Sequence, residues 1–212
     1  MIIGLTGAYC AGKNHVAALI EARGLPVLDV DKLGHKAIEL EKDKIITLFG
    51  LDSLGSRYNN SYSSNNISSY DSSCFRRLLG QIVYKNPEKL AALEAIVHPM
   101  ANRLTDEWVA AQNGHCVVNA ALLHRSSMFD KLDKIILVKA PFLTRLFRAR
   151  KRDKLPWKEI FKRFKSQKDF YKQYLSINAR AFSAEIHIVE NPGIRGALKL
   201  ERRIDKILEG IV

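Results

Sequence analysis

Seven residues near the start, Gly7-Ala8-Tyr9-Cys10-Ala11-Gly12-Lys13, constrain this chain more than any other feature. They follow a short apolar run, Ile2 to Leu5, and lead into residues Lys13 to Arg23, which read as a helix with Gly24 just past its end. Glycines admit the backbone angles that turn successive N–H groups inward, and those groups with the helix N-terminus supply fixed partial positive charge. A lysine at the loop's end then reaches the outer phosphates of a nucleoside triphosphate. The spacing predicts a phosphate-binding loop over residues 7 to 15. A second apolar run, Pro26-Val27-Leu28, ends in Asp29-Val30-Asp31, and the order strand, loop, helix, strand predicts a βαβ unit with a parallel sheet.

Further parallel strands are expected at Cys116 to Val118, Lys134 to Lys139 and Glu185 to Val189, with helices between them. Leu200, Ile204, Ile207, Leu208 and Ile211 repeat at helical spacing and predict an amphipathic helix packed on the sheet. At 212 residues, 47% hydrophobic and 26% charged, the chain can bury a core without metal or disulfide staples. Its cysteines, 10, 74 and 116, form no CxxC pair and are odd in number, which fits a reducing cytoplasm and argues against a zinc cluster. No apolar run approaches a membrane span, and the first residues lack the basic segment of a secretory signal, so a cytoplasmic protein with no membrane contact is expected. Residues Ser56 to Ser73, with eight Ser, four Asn and three Tyr, are read as a polar surface loop.

The net charge of +12 points to an anionic partner: a phosphate-rich small molecule, nucleic acid or an anionic surface. The excess is local, because thirteen Lys and Arg against three acids lie between Lys139 and Lys172. Here Phe147, Trp157, Phe161, Phe164, Phe170 and Tyr171 interleave with the cations, as amphipathic helices with a basic outer face would require. Arg148 and Arg152 are four apart and can point together at polyphosphate.

Two carboxylates stand beyond the second strand. Asp29 and Asp31 alternate, so one can face the crevice where ligands of open α/β sheets sit; both capping the following helix is the alternative. A carboxylate near the γ-phosphate can orient or deprotonate an attacking hydroxyl and help hold Mg²⁺. Asn14 occupies the place where Ser or Thr normally offers Mg²⁺ a hydroxyl, and its amide carbonyl is a neutral oxygen ligand of different reach. Cys10 lies among loop amides that would depress its thiol pKa, although its backbone is the part the loop needs. His98-Pro99 follows a helical run and could end it.

Together, Gly4-Leu5-Thr6-Gly7 into Ala11-Gly12-Lys13, Val27-Leu28-Asp29-Val30-Asp31 with His35, Phe75-Arg76-Arg77-Leu78-Leu79, His98-Pro99, Arg148 with Arg152-Asp153 and Gln167, and Glu190-Asn191-Pro192-Gly193 resemble the dephospho-coenzyme A kinase family over essentially the whole chain. The resemblance implies an α/β P-loop kinase fold, a parallel sheet flanked by helices with an inserted helical substrate region and a basic helical lid. It implies a nucleotide-binding core over 1–31, 110–141 and 176–212, a coenzyme-binding region over 32–109 and a lid over 142–175. The cofactors it implies are ATP and Mg²⁺. Asp31, Lys13 and Arg148 are then the catalytic candidates, and Gly7, Cys10, Ala11, Gly12, Lys13, Asn14, His15, Arg148, Arg152 and Asn191 the ATP-binding ones. Asp31, His35, Arg76, Arg77, His98 and Gln167 are candidates for holding dephospho-coenzyme A, and Asn14 and Asp31 for Mg²⁺. The chain departs from the family where Asn14-His15 replace a Ser-Thr pair, and where Asn119-Ala120-Ala121-Leu122-Leu123-His124-Arg125 replaces an aspartate followed by Pro-Leu-Leu-Phe-Glu.

The implied activity is ATP-dependent phosphorylation of the ribose 3′-hydroxyl of dephospho-coenzyme A, by a monomer or weak homo-oligomer without nucleic acid. Two other readings stay open from residues alone: a kinase for another small hydroxyl compound such as a nucleoside monophosphate, and a nucleotide- or nucleic-acid-binding protein with impaired catalysis.

Overall fold

The apolar runs of the sequence become five parallel strands, β1 (Ile2–Gly7), β2 (Val27–Asp29), β3 (Cys116–Asn119), β4 (Lys134–Lys139) and β5 (Glu185–Glu190). In the computed structural model, which describes residues 1–51, 72–84, 86–177, 184–193 and 196–212, their order is β2-β3-β1-β4-β5. A parallel sheet is covered on both faces, so its strands lose the polar–apolar alternation. All of β3 and the span Ile135 to Val138 are buried accordingly.

Successive side chains still go to opposite faces. Ile3, Leu5, Val117, Ile136 and Val138 pack with Val16 and Ile20 of α1 (Lys13–Glu21) and with Leu200, Ile204 and Ile207 of the C-terminal helix. Val118, Ile135 and Leu137 meet Leu123, Leu132, Phe170 and Tyr174 on the other face. On that face a Cβ at Gly4 would lie 2.6 Å from a Leu123 methyl and 2.7 Å from one of Leu132, so glycine is what lets the 123–132 segment approach.

Chain contacts form two compact units, Met1–Asp31 with Thr105–Val212, and Lys32–Leu104. The second is helical, drawing on α2 (Val30–Leu40), α3 (Lys42–Phe49), α4 (Ser72–Val83) and the first part of α5 (Pro87–Ala110). Its core is Ile45, Ile46, Leu51, Phe75, Leu79, Val83 and Leu93. In the first unit the basic helices α6 (Phe142–Asp153), α7 (Trp157–Ser166) and α8 (Phe170–Ile177) follow β4, and α9 (Ala197–Leu208) closes the chain. Pro141 and Pro156 stand just before α6 and α7, where a missing N–H costs nothing.

Several boundaries differ from the sequence reading. Helix α1 stops at Glu21, and its last turn tightens through Arg23 to Gly24, whose φ is +89°. Strand β2 ends at Asp29, so Asp31 lies in the first turn of α2 rather than on the strand. The polar stretch 56–73 lies outside the described residues up to 71, whereas 72 and 73 open α4 instead of belonging to a loop. Pro99 does not end its helix: α5 runs 24 residues through it. The carbonyl deprived of its partner belongs to Ala95, and Ala95 and Pro99 are both exposed, so water can take that bond.

Candidate active site

The carboxyl ends of the strands bring the chemistry together. After Gly7 the loop takes left-handed backbone at Cys10, φ +59°, and at Gly12, φ +93°, which starts α1. A Cβ on Gly12 would lie 2.2 Å from the side-chain nitrogen of Asn191, so this position requires glycine for space as well as for φ. Asn191 is 2% exposed, just beyond β5, and donates Nδ2 to the Ala11 carbonyl at 3.1 Å. Arg148 of α6 donates to the same carbonyl at 3.1 Å and to Asn191 Oδ1 at 3.0 Å. The loop is thus held from below by a buried amide and from one side by a guanidinium.

On the other side the Lys13 ammonium lies 2.7 Å from Asp31 Oδ2 and 3.3 Å from Asn119 Oδ1. Asp29 and Asp31 divide the two expected roles. The Asp29 carboxylate accepts the Asp31 N–H at 3.1 Å, an Asx turn at the helix start, while Asp31 faces the loop and also accepts the Ala121 N–H at 3.4 Å. Asn119, 1% exposed at the end of β3, donates Nδ2 to Asn14 Oδ1 at 3.2 Å. It therefore links both ends of the Lys13-Asn14 pair. The sequence reading treated Asn119 only as a departure from a pattern; a polar residue closing the apolar run Cys116-Val117-Val118 was the signal that could have found it.

Arg148, Lys151 and Arg152 with Cys10 line an open cavity of about 470 Å³. Arg152 is hydrogen-bonded at 2.6 Å to Asp153, which raises the guanidinium's pKa and lowers that of the carboxyl. Burial lowers Arg145 and Arg148 from the ordinary arginine value, which leaves them charged at neutral pH. The expectation for Cys10 is reversed: burial pushes its thiol pKa up, outweighing the pull of Arg152, Arg145 and Arg148, so the thiol is the stable form.

Gln167 meets the phosphate loop itself, where its Oε1 accepts the Tyr9 N–H at 2.6 Å. Arg145, Asp153 and Tyr9 were absent from the sequence-based set although all three join the loop to the basic helices. His15 is exposed on α1. His35, one turn from Asp31 on α2, and His98 on α5 are exposed; these two, with Arg76 and Arg77 on α4, belong to the helical unit.

Among the described residues no three His, Cys, Asp or Glu are grouped to hold a metal. The Asn14 carbonyl and the Asp31 carboxylate are oxygen donors joined through Asn119 and Lys13, and Asn14 is aimed by Asn119. Two protein oxygens fit Mg²⁺, which takes its remaining ligands from phosphates and water.

A family model described as dephospho-CoA kinase matches residues 1–179. The dephospho-CoA kinase of Treponema denticola is 30% identical over 84% of this chain and 79% of its own. A Thermus thermophilus crystal structure superposes with a TM-score of 0.74 at 29% identity, covering 100% of this chain and 98% of that one. The Campylobacter jejuni dephospho-CoA kinase shares the fold, with a TM-score of 0.62 at 22% identity over 99% and 96% of the two chains. A phosphate loop closing β1, a lysine–carboxylate pair beyond β2 and a match that spans most of the chain lead to one assignment: the chain belongs to the dephospho-CoA kinase family.

Proposed function

We propose that this chain transfers the γ-phosphoryl group of ATP to the ribose 3′-hydroxyl of dephospho-coenzyme A. The observation that carries the reading is the 2.7 Å pairing of Lys13 with Asp31 at the carboxyl ends of β1 and β2. It sets the cation that reaches the γ-phosphate beside the carboxylate that can take a hydroxyl proton. When the triphosphate enters, Lys13 turns to its oxygens and Asp31 is released toward the acceptor. The 3′-oxygen then forms its bond to the γ-phosphorus as the bond to the β–γ bridging oxygen breaks, ADP leaves, and the hydroxyl proton passes to Asp31.

Loop N–H groups, Lys13, Arg148 and Arg152 stabilise charge on the transferring group. Asn14 and Asp31 would hold Mg²⁺, which when bound neutralises charge on the phosphate oxygens. In this reading residues 142–175 form the lid and residues 32–109 take the coenzyme, with His35, Arg76, Arg77 and His98 as its candidate contacts. The free thiols Cys10 and Cys116 fit a cytoplasmic setting.

A panel of hydroxyl acceptors with ADP release as the readout tests substrate class. Dephospho-coenzyme A should exceed any nucleoside monophosphate; the reverse preference would replace the reading.

A further inference from the structure

We propose that Tyr9 is a positioning residue that clasps the basic lid to the phosphate loop and thereby sets the lid arginines before nucleotide arrives. The proposal rests on the kinase reading above. Tyr9 lies in the middle of the loop, yet every polar group it has goes to the lid. Its N–H donates to Gln167 at 2.6 Å and its carbonyl accepts from Arg145 Nε at 2.8 Å. Its hydroxyl donates to Asp153. Its ring lies 5.3 Å from the Arg152 guanidinium and 5.6 Å from that of Arg163, with the Phe164 ring edge-on at 5.5 Å. Contacts from α6, from α7 and from the turn after α7 therefore converge on one residue, those of Asp153, Arg152, Arg163 and Phe164 on its side chain and those of Gln167 and Arg145 on its backbone.

The lid needs such a point because its cations repel one another. Asp153 pairs with Arg152 at 2.6 Å and with Arg163 at 3.1 Å, and the Tyr9 ring offers its π-face to the same two guanidinium groups. Burial and Asp153 push the Tyr9 phenol up, so at neutral pH it stays protonated and donates to the carboxylate. Arg152 is held in this cluster while it also lines the cavity with Cys10 and Arg148. The phosphate-binding and charge-stabilising parts are thus joined through Tyr9.

A lid held closed in advance spares the nucleotide the cost of closing it; a loosened lid lowers apparent affinity by the closed fraction that remains. Saturating ATP restores closure, so the loss falls on KM for ATP rather than on kcat. A role in folding alone would do the opposite, lowering kcat through a smaller active fraction at unchanged KM.

The test uses the full chain with Tyr9→Ala and the conservative Tyr9→Phe, which keeps the ring and removes only the hydroxyl. Hydrogen exchange without nucleotide should speed up across residues 142–170 by about 10-fold or more in Tyr9→Ala and by a smaller factor in Tyr9→Phe, with β1 and β4 unchanged. KM for ATP should rise by about 5- to 20-fold in Tyr9→Ala with kcat within about 3-fold, and KM for the acceptor should stay put. Wild-type lid exchange in either variant, or a fall in kcat at unchanged KM for ATP, would overturn the clasp. The exchange arm needs no substrate, so it decides the clasp even if dephospho-coenzyme A proves not to be the acceptor.

Discussion

The Lys13 ammonium and the Asp31 carboxylate are 2.7 Å apart, although one opens α1 and the other lies in the first turn of α2. A carboxylate so placed can wait on a cation until phosphate displaces it. Asp31→Asn keeps the shape and should leave ATP affinity nearly unchanged while lowering turnover by about 10² to 10⁴. Wild-type turnover in a purified Asp31→Asn preparation would move the proton acceptor elsewhere.

Gly12 has two reasons to be glycine, and a double variant separates them. Gly12→Ala should abolish nucleotide binding, because the new methyl meets Asn191 Nδ2 at 2.2 Å and the φ of +93° is strained by about 1–2 kcal/mol for a side chain. Adding Asn191→Ala removes the collision but leaves the strain, so calorimetric titration with ATP should show only partial recovery. Full recovery would show that space alone selects glycine.

Arg148 grips the loop through Ala11 and Asn191, and Arg152 lines the same cavity, whereas Lys158, Lys162 and Lys165 are exposed on α7. Arg148→Ala and Arg152→Ala should lower kcat/KM by about 10-fold or more, the scale of a lost charge-stabilising donor. Neutralising the three lysines should cost a few-fold that added salt removes. Equal losses at all five positions would favour a diffuse anion-binding surface.

Asn14 Oδ1 accepts one N–H from Asn119 at 3.2 Å, so it can offer a metal only its remaining lone pair. Asn14→Ser should reduce the Mg²⁺ concentration needed for half-maximal rate and leave the rate at saturating Mg²⁺ little changed. Superimposable Mg²⁺ titrations would make Asn14 a helix-start residue only.

His124 Nδ1 lies 3.0 Å from the hydroxyl of buried Tyr174, and burial lowers its pKa. Burial lowers that of His187 as well. The folded state then binds these protons more weakly than the unfolded chain, so their stability is fully present above about pH 6.5 and is lost as pH falls toward the depressed folded values. Urea unfolding should show constant stability from about pH 7 to 8 and a decline below about 6.5, less steep in His124→Gln.

The strands were legible because a sheet covered on both faces demands unbroken apolar runs, and β4 occupies the expected residues, Lys134–Lys139. The phosphate loop was legible because its chemistry is local: two glycines, a lysine and a helix start within seven residues. What escaped depends on contacts between distant positions. Asn119 reaches Lys13 across 106 residues and Asp153 reaches Tyr9 across 144, and no periodicity records such pairings. Pro99 escaped for a different reason, since a rule about helix ends yields where the orphaned carbonyl faces water.

Mass spectrometry of dephospho-coenzyme A incubated with this protein, ATP and Mg²⁺ tests the central claim most directly. One phosphate should be added on the ribose 3′-oxygen, formed with stoichiometric ADP and at least about 10²-fold more slowly with Asp31→Asn. Unmodified dephospho-coenzyme A, from protein that binds ATP normally, would contradict it.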